Sequence, residues 1–272
     1  MESEVIGGAE YLQRWHDRHP GATLAVLESL TDGLGRSSYG ILAQAVQRQD
    51  EPVLDLACGD GHLLELLRPN CFCFGVDWNV AELNAAGRRI RSRAPLIRAD
   101  ASELPIPMGV LGAVVCHYAL MLLQPLEVVL AELARVLRPN GLLANVLPAS
   151  PPDDSPNPFT AMRAAWGEAN DTYPVEIPPI QDDRALEPET LPLLLEDAGF
   201  SSVQAWTFVA SKPMSVEEAI ECFLLTYGPD LLPSSGLALF EEVLRSKLSE
   251  LEGDTGTVMF ERSSTLVTAR RG

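Results

Sequence analysis

Val53-Leu54-Asp55-Leu56-Ala57-Cys58-Gly59-Asp60-Gly61-His62-Leu63-Leu64 is the stretch that decides the fold. It opens as a short apolar run, turns on two glycines, and continues into Leu63, Leu64, Leu66 and Leu67 at helical spacing. That pattern reads as a strand, a tight turn and a helix start. Gly59 and Gly61 lack a Cβ, so a ligand can press against the backbone there and meet the first free N–H groups of the helix. Asp55, at the strand end, is expected to orient the loop and to favour a cationic group over a pyrophosphate.

Two further acids follow at matching intervals. Cys71-Phe72-Cys73-Phe74-Gly75-Val76-Asp77 is an apolar run whose closing acid lies 22 residues after Asp55. A carboxylate at the tip of a second strand can accept hydrogen bonds from vicinal ribose hydroxyls. Trp78 is placed to lie along a base. Pro95-Leu96-Ile97-Arg98-Ala99-Asp100 reads as a third strand, with Asp100 23 residues after Asp77.

These segments resemble the class I S-adenosylmethionine-dependent methyltransferases. The first stretch is similar to their pattern apolar-apolar-Asp-x-Gly-x-Gly-x-Gly, with Ala57 where the first glycine falls, a small-for-small change expected to cost little. Arg98-Ala99-Asp100-Ala101-x-x-Leu104-Pro105 resembles the segment whose acid accepts from the adenine amino group while the next backbone N–H donates to a ring nitrogen. Arg135-Val136-Leu137-Arg138-Pro139-Asn140-Gly141 resembles the family's R-V-L-R-P-G-G turn. Asn140 there tolerates the left-handed conformation that such a turn needs.

The resemblance implies an α/β fold with a doubly wound, mostly parallel seven-stranded sheet and an antiparallel last strand. N-terminal helices and helical lid insertions complete it. It implies S-adenosylmethionine as cofactor, released as S-adenosylhomocysteine, held by Asp55, Ala57, Cys58, Gly59, Gly61, Asp77, Trp78, Asp100, Ala101 and Cys116. The implied activity is methyl transfer to a small organic, natural-product-like acceptor, with oxygen the favoured atom. N- or C-methylation, and a protein that binds the cofactor without methylating, stand as alternatives. A nicotinamide-dependent dehydrogenase needs a longer glycine motif and leaves Asp100 unexplained.

Outward from this core, residues 1–50 read as a helical cover. Tyr11, Leu12, Trp15 and His19 fall on one helical face, Pro20-Gly21 breaks that helix, and Arg36-Ser37-Ser38-Tyr39 opens another reaching about Val46. His16, His19, Arg36 and Tyr39 are candidates for the cofactor's carboxylate or the substrate, with packing and capping as the alternative. The cofactor-binding core runs over 51–148 and the first lid insertion over 149–186, opening on a proline-rich stretch at 149–158. The end of the core, 187–272, contains a helical insertion at 214–251. Strand six is expected at Val203–Ala210, and Gly256–Ala269 is expected to lie antiparallel beside it.

The fourth strand, Gly112–Cys116, leads into His117-Tyr118, which the fold places toward the transferred methyl group. His117 is the candidate base or substrate-orienting residue, since neutral imidazole suits proton transfer near pH 7; Tyr118 is its companion. His62, on the first turn after the glycines, leans toward a structural role. Trp15, Tyr39, Trp166, Tyr173, Trp206, Phe223, Tyr227 and Phe240 are candidates to wall an apolar acceptor pocket.

Composition narrows the partners. A formal net charge of −18 over 272 residues repels nucleic-acid phosphates and anionic membrane surfaces, leaving a small-molecule substrate. No apolar run reaches membrane-spanning length, and Met1-Glu2-Ser3-Glu4 lacks a basic start or signal core, so a soluble cytoplasmic protein is expected. The five cysteines, an odd number without paired spacing, read as buried thiols. Neither His-Glu-x-x-His nor Cys-x-x-Cys occurs, and no metal is expected.

Overall fold

The computed structural model describes residues 7–46, 51–69, 71–91, 93–151 and 156–272. The reading of Met1–Glu4 and part of the proline-rich stretch, 152–155, lie outside the described residues.

The apolar run Val53–Leu56 is a strand, β1, buried throughout. Cys73–Asp77 (β2), Leu96–Arg98 (β3), Leu111–His117 (β4), Leu137–Pro148 (β5), Phe200–Met214 (β6) and Val258–Arg271 (β7) join it in one sheet. The order is β3-β2-β1-β4-β5-β7-β6. β1 pairs in parallel with β2 and with β4, placing Leu56 between Val76 and Cys116. Strand order therefore reverses at β1, and a crevice opens beyond the carboxyl ends of β1 and β4. β7 is antiparallel to both of its neighbours, β5 and β6.

Some boundaries differ from the sequence reading. β2 begins at Cys73, because Cys71 sits two residues before it with its thiol on Leu67 O. β6 runs past both ends of Val203–Ala210, since β7 pairs with it as far as Met214. Asn140 adopts the left-handed conformation (φ 62°), as expected, but within a continuous β5.

Helices cover both sheet faces: Gly8–Arg18 (α1), Ala22–Leu27 (α2), Ser38–Ala45 (α3), His62–Leu67 (α4) and Val80–Ile90 (α5). They continue with Leu126–Val136 (α6), Pro158–Thr172 (α7), Thr190–Asp197 (α8), Val216–Leu224 (α9) and Ser234–Ser249 (α10). Side chains alternate across the central strands. Leu54, Leu56, Val114 and Leu143 pack with Leu126, Leu130 and Leu133 of α6 and Leu191 and Leu195 of α8. Val53, Ala113, Val115 and Ala144 share the other core with α3, α4, α7, α9 and α10.

Phe223 and Phe240 belong to that second core and are fully buried, so they fill the interior instead of walling an acceptor pocket. Phe223 and Phe260 pack with Phe159, at ring separations of 5.1–5.5 Å. Long β6 and β7 need this cover, because their outer halves extend past the end of β5. Among the described residues, no helix is long and apolar enough to cross a membrane.

Candidate active site

One cavity of about 240 Å³ occupies the crevice past β1, β2 and β4. Asp55, Asp77 and Asp100 all line it, so the three strand-tip acids share one cleft. Ala57, Cys58, Gly59, Trp78, Ala101, Tyr39, His117 and Tyr118 line it too. Three expected cofactor residues do not. Arg36 turns to Asp32 (Nη2–Oδ2 2.6 Å) and lies over the Trp206 ring at 5.6 Å, on the β6 side. Cys116 alternates away from the cleft, into the core beneath α6. Gly61 faces α5: a Cβ there would stand 3.0 Å from Ala86 Cβ, so this glycine permits close helix packing, not ligand approach.

Asp77, not Asp55, orients the glycine turn. Its Oδ2 accepts from Gly59 N at 2.9 Å, and its Oδ1 from Asn79 N at 2.9 Å. Asn79 then caps α5 by accepting from Glu82 N at 3.0 Å. One carboxylate thereby joins the end of β2, the turn and the start of α5. Ala57 is held at φ 53°, the left-handed region, where a Cβ costs about 1–2 kcal/mol. The alanine in place of the family's first glycine is therefore not free.

Asp55 is 1% exposed and its Oδ2 has no hydrogen-bond partner. Burial, then the charges of Asp77 and Asp60, push its carboxyl well above the ordinary range. Burial also raises Asp77, opposed by its two backbone donors. Asp60 leans out of this group toward Arg89 (2.6 Å). Asp100, exposed at the rim, accepts from Ser102 N and Oγ at 2.8 and 2.6 Å.

Sequence reasoning missed Glu82. It is 4% exposed, lines the cavity, and accepts from Gly21 N at 3.0 Å while its Oε1 meets His16 Nδ1 at 2.8 Å. His16 Nε2 in turn lies 3.0 Å from Tyr227 Oη. The only available sequence signal was the Asn-x-x-Glu spacing of a capping box; the glutamate instead ties α1 and the α1–α2 turn to α5. Tyr11 donates to Asp230 at 2.7 Å, and Arg18 pairs with the same residue at 2.6 Å. The N-terminal helices thus close over the cleft together with the segment after α9. His19 bonds Trp15 O and lies off the cavity.

His117 lies at the end of β4, with Nε2 2.9 Å from Ser38 Oγ and Nδ1 buried without a partner. Its ring stacks on Tyr39 at 3.7 Å and 20°. Burial, with a smaller contribution from His62, lowers its pKa to about 3. His117 therefore lines the cavity as a neutral ring, with Nε2 held at Ser38 and Nδ1 unpartnered. His62 meets Tyr39 edge-on at 4.9 Å, and burial lowers its pKa. Tyr118, at φ 55°, places its hydroxyl 2.6 Å from Ser264 Oγ. Of the eight aromatic candidates, Tyr39 and Tyr227 reach the cavity, which Pro179, Ile180, Leu122 and Leu123 also border. Among the described residues, no cluster of three or more His, Cys, Asp or Glu is arranged to hold a metal ion.

Known proteins share this architecture. Residues 54–145 match the methyltransferase domain family. The malonyl-(acyl-carrier protein) O-methyltransferase of Legionella pneumophila is 32% identical over 124 residues, covering 43% of this chain and 41% of that protein. The demethylmenaquinone methyltransferase of Mycolicibacterium gilvum is 36% identical over 94 residues, 34% of this chain and 40% of that protein. The chain thus spans about two fifths of these relatives' length. Among solved structures, the 4+2 cyclase SpnF superposes with a TM-score of 0.59 at 16% identity, over 98% of this chain and 97% of that one. That last likeness concerns the fold alone. With its glycine turn, three acids beside the strand ends and this sheet order, the chain is similar over residues 54–145 to methyltransferase domains.

Proposed function

We propose that this protein transfers a methyl group from S-adenosylmethionine to a small organic acceptor, at oxygen. The observation carrying this reading is the charge of the cleft. Five carboxylates line it, Asp55, Asp60, Asp77, Glu82 and Asp100, and among the described residues no lysine or arginine does. Such a cleft suits a ligand with an ammonium, a sulfonium and a ribose diol, and repels a dinucleotide pyrophosphate. The orphaned Asp55 Oδ2, with Gly59 bordering the same cleft, fits that ligand's cationic amino acid end.

In this reading Asp77 holds the ribose hydroxyls, Asp100 and Ala101 the adenine edge, and Trp78 the adenine face. When bound, the cofactor supplies an electrophilic methyl carbon. The chain supplies alignment and exclusion of water. His117, fixed by Ser38 and Tyr39, shapes the floor beneath the acceptor and keeps a neutral ring there. The latch of Glu82, His16 and Tyr227 keeps the cover shut during transfer. Oxygen as the methylated atom is supported by the name of the Legionella relative, an O-methyltransferase.

Calorimetry with S-adenosylhomocysteine tests the cofactor reading, and radiolabelled methyl transfer across phenols, carboxylic acids and amines tests the rest. Failure of folded protein to bind S-adenosylhomocysteine ends the proposal. Binding without transfer to any acceptor favours a second reading, a cofactor-binding protein with other chemistry, for which the shared fold of a named cyclase is the supporting observation.

A further inference from the structure

We propose that the acceptor carries an oxyanion and that Arg262 receives it, an inference that rests on the methyl-transfer reading of the cleft. Arg262 belongs to β7, past the end of its pairing with β5: Ser264 is opposite Pro148, and Arg262 pairs only onward, with Ala210 of β6. Because β7 is antiparallel, this stretch stands at the same end of the sheet as the tips of β4 and β5, where the cleft opens.

The surroundings of the guanidinium are those of a prepared cation. Its carbon lies 4.6 Å from the Phe159 ring centre and 5.6 Å from that of Tyr118. Its Nε donates to Tyr118 Oη at 3.3 Å, and that hydroxyl is fixed by Ser264 at 2.6 Å. Tyr118 itself lines the cleft. With Nε on the Tyr118 hydroxyl and the carbon over the Phe159 ring, the two amino groups have no hydrogen-bond partner among the described residues and are the donors left to take an oxyanion in a bidentate grip.

Charge balance sharpens the point. The chain has 38 acidic and 20 basic residues, and Arg18, Arg36, Arg89, Arg135 and Arg184 each sit on an aspartate or glutamate. Arg262 is half-buried and, among the described residues, pairs with no carboxylate. Arg262 reaches the cleft through Tyr118, which lines it, and its unneutralised charge is open to one that arrives with the ligand. The acidic cofactor side repels such an acceptor, and Arg262 draws it, so its anionic end points to β7 and its neutral end toward the methyl donor.

The test uses the full chain saturated with S-adenosylhomocysteine and a probe set of phenolic and aliphatic carboxylic acids, their primary amides and the corresponding aryl phosphates. Binding is read by saturation-transfer NMR and by shift of the melting temperature. Acids or phosphates are expected to bind where the amides do not, the two arms identifying which oxyanion is read. Arg262→Met should weaken that binding roughly tenfold or more, the scale of lost charged hydrogen bonds, and Arg262→Lys should retain part of it. Unchanged affinity of both variants for S-adenosylhomocysteine serves as the folding control. Equal binding of anions and amides, no binding by any anion, or anion binding that Arg262→Met leaves intact overturns the proposal. Loss of S-adenosylhomocysteine binding by the unmodified chain instead overturns the methyl-transfer reading beneath it.

Discussion

His117 Nε2 lies 2.9 Å from Ser38 Oγ, so the histidine at the tip of β4 spends one ring nitrogen on the first residue of α3. With its pKa lowered to about 3 by burial, the ring stays neutral across the working range. The unfolded chain binds a proton there below about 6.5, so this residue's contribution to stability is present above that pH and is lost progressively as pH falls toward 3. His117→Gln should flatten that part of the acid-unfolding curve. Methyl transfer by the unmodified protein should show no histidine limb between pH 5 and 8 assignable to His117, and NMR of its ring should show no titration there.

Asp55→Asn should raise the melting temperature of the ligand-free protein while weakening S-adenosylmethionine binding on the order of tenfold. Folded Asp55 has a raised pKa and binds more protons than unfolded Asp55, so stability falls as pH rises above its ordinary value near 3.8 and through the raised one. A cationic ligand reverses this, and affinity should climb with pH over the same window. Calorimetry in buffers of different ionisation enthalpy should register proton release on binding. A pH-independent affinity would remove Asp55 from the site.

Asp77→Ala should weaken S-adenosylhomocysteine binding by about 1–3 kcal/mol through lost charged hydrogen bonds. The same change frees Gly59 N and Asn79 N, so melting should also fall. Isothermal titration below the transition separates the two effects.

Ala57→Gly and Gly61→Ala should act in opposite directions. The first relieves an alanine at φ 53° and should stabilise by about 0.5–1 kcal/mol. The second places a Cβ at φ 79° against Ala86 of α5 and should destabilise by about 1–3 kcal/mol. Urea unfolding measures both, and S-adenosylhomocysteine affinity should survive Gly61→Ala wherever the protein is folded.

Glu82→Gln and Tyr227→Phe should each speed release of S-adenosylhomocysteine, because each removes part of the chain from Gly21 and His16 to Tyr227. Stopped-flow fluorescence of Trp78, which borders the cleft, gives the rate. Unchanged release would make the latch structural only.

The acids of the site were legible because they are local: each stands within two residues of a strand end in a repeating strand-helix unit, and Asp55, Asp77 and Asp100 meet wherever parallel strands align. Glu82 was not, because a glutamate three residues after an asparagine reads as a cap until α1 is seen packed on it. Arg36 and Cys116 illustrate the converse. A place in the N-terminal cover suggested contact for the first and the family resemblance for the second, but Asp32 captures the arginine, and the alternation of β4 turns the thiol to the other face. The phenylalanines of the insertions were legible as apolar and not as core, since their pattern does not say what they cover.

By itself the sequence determined the strand-turn-helix unit and the carboxylates near the strand tips, because apolar periodicity and two glycines act over neighbouring residues, while the parallel order came from the family resemblance. Tertiary structure alone decided that His117 is locked on Ser38, that Glu82 fastens the cover, and that Arg262, 144 residues away in the chain, touches Tyr118. Those outcomes depend on which side chains long-range packing brings within 3 Å or so of one another, and hydrogen bonds reach no further.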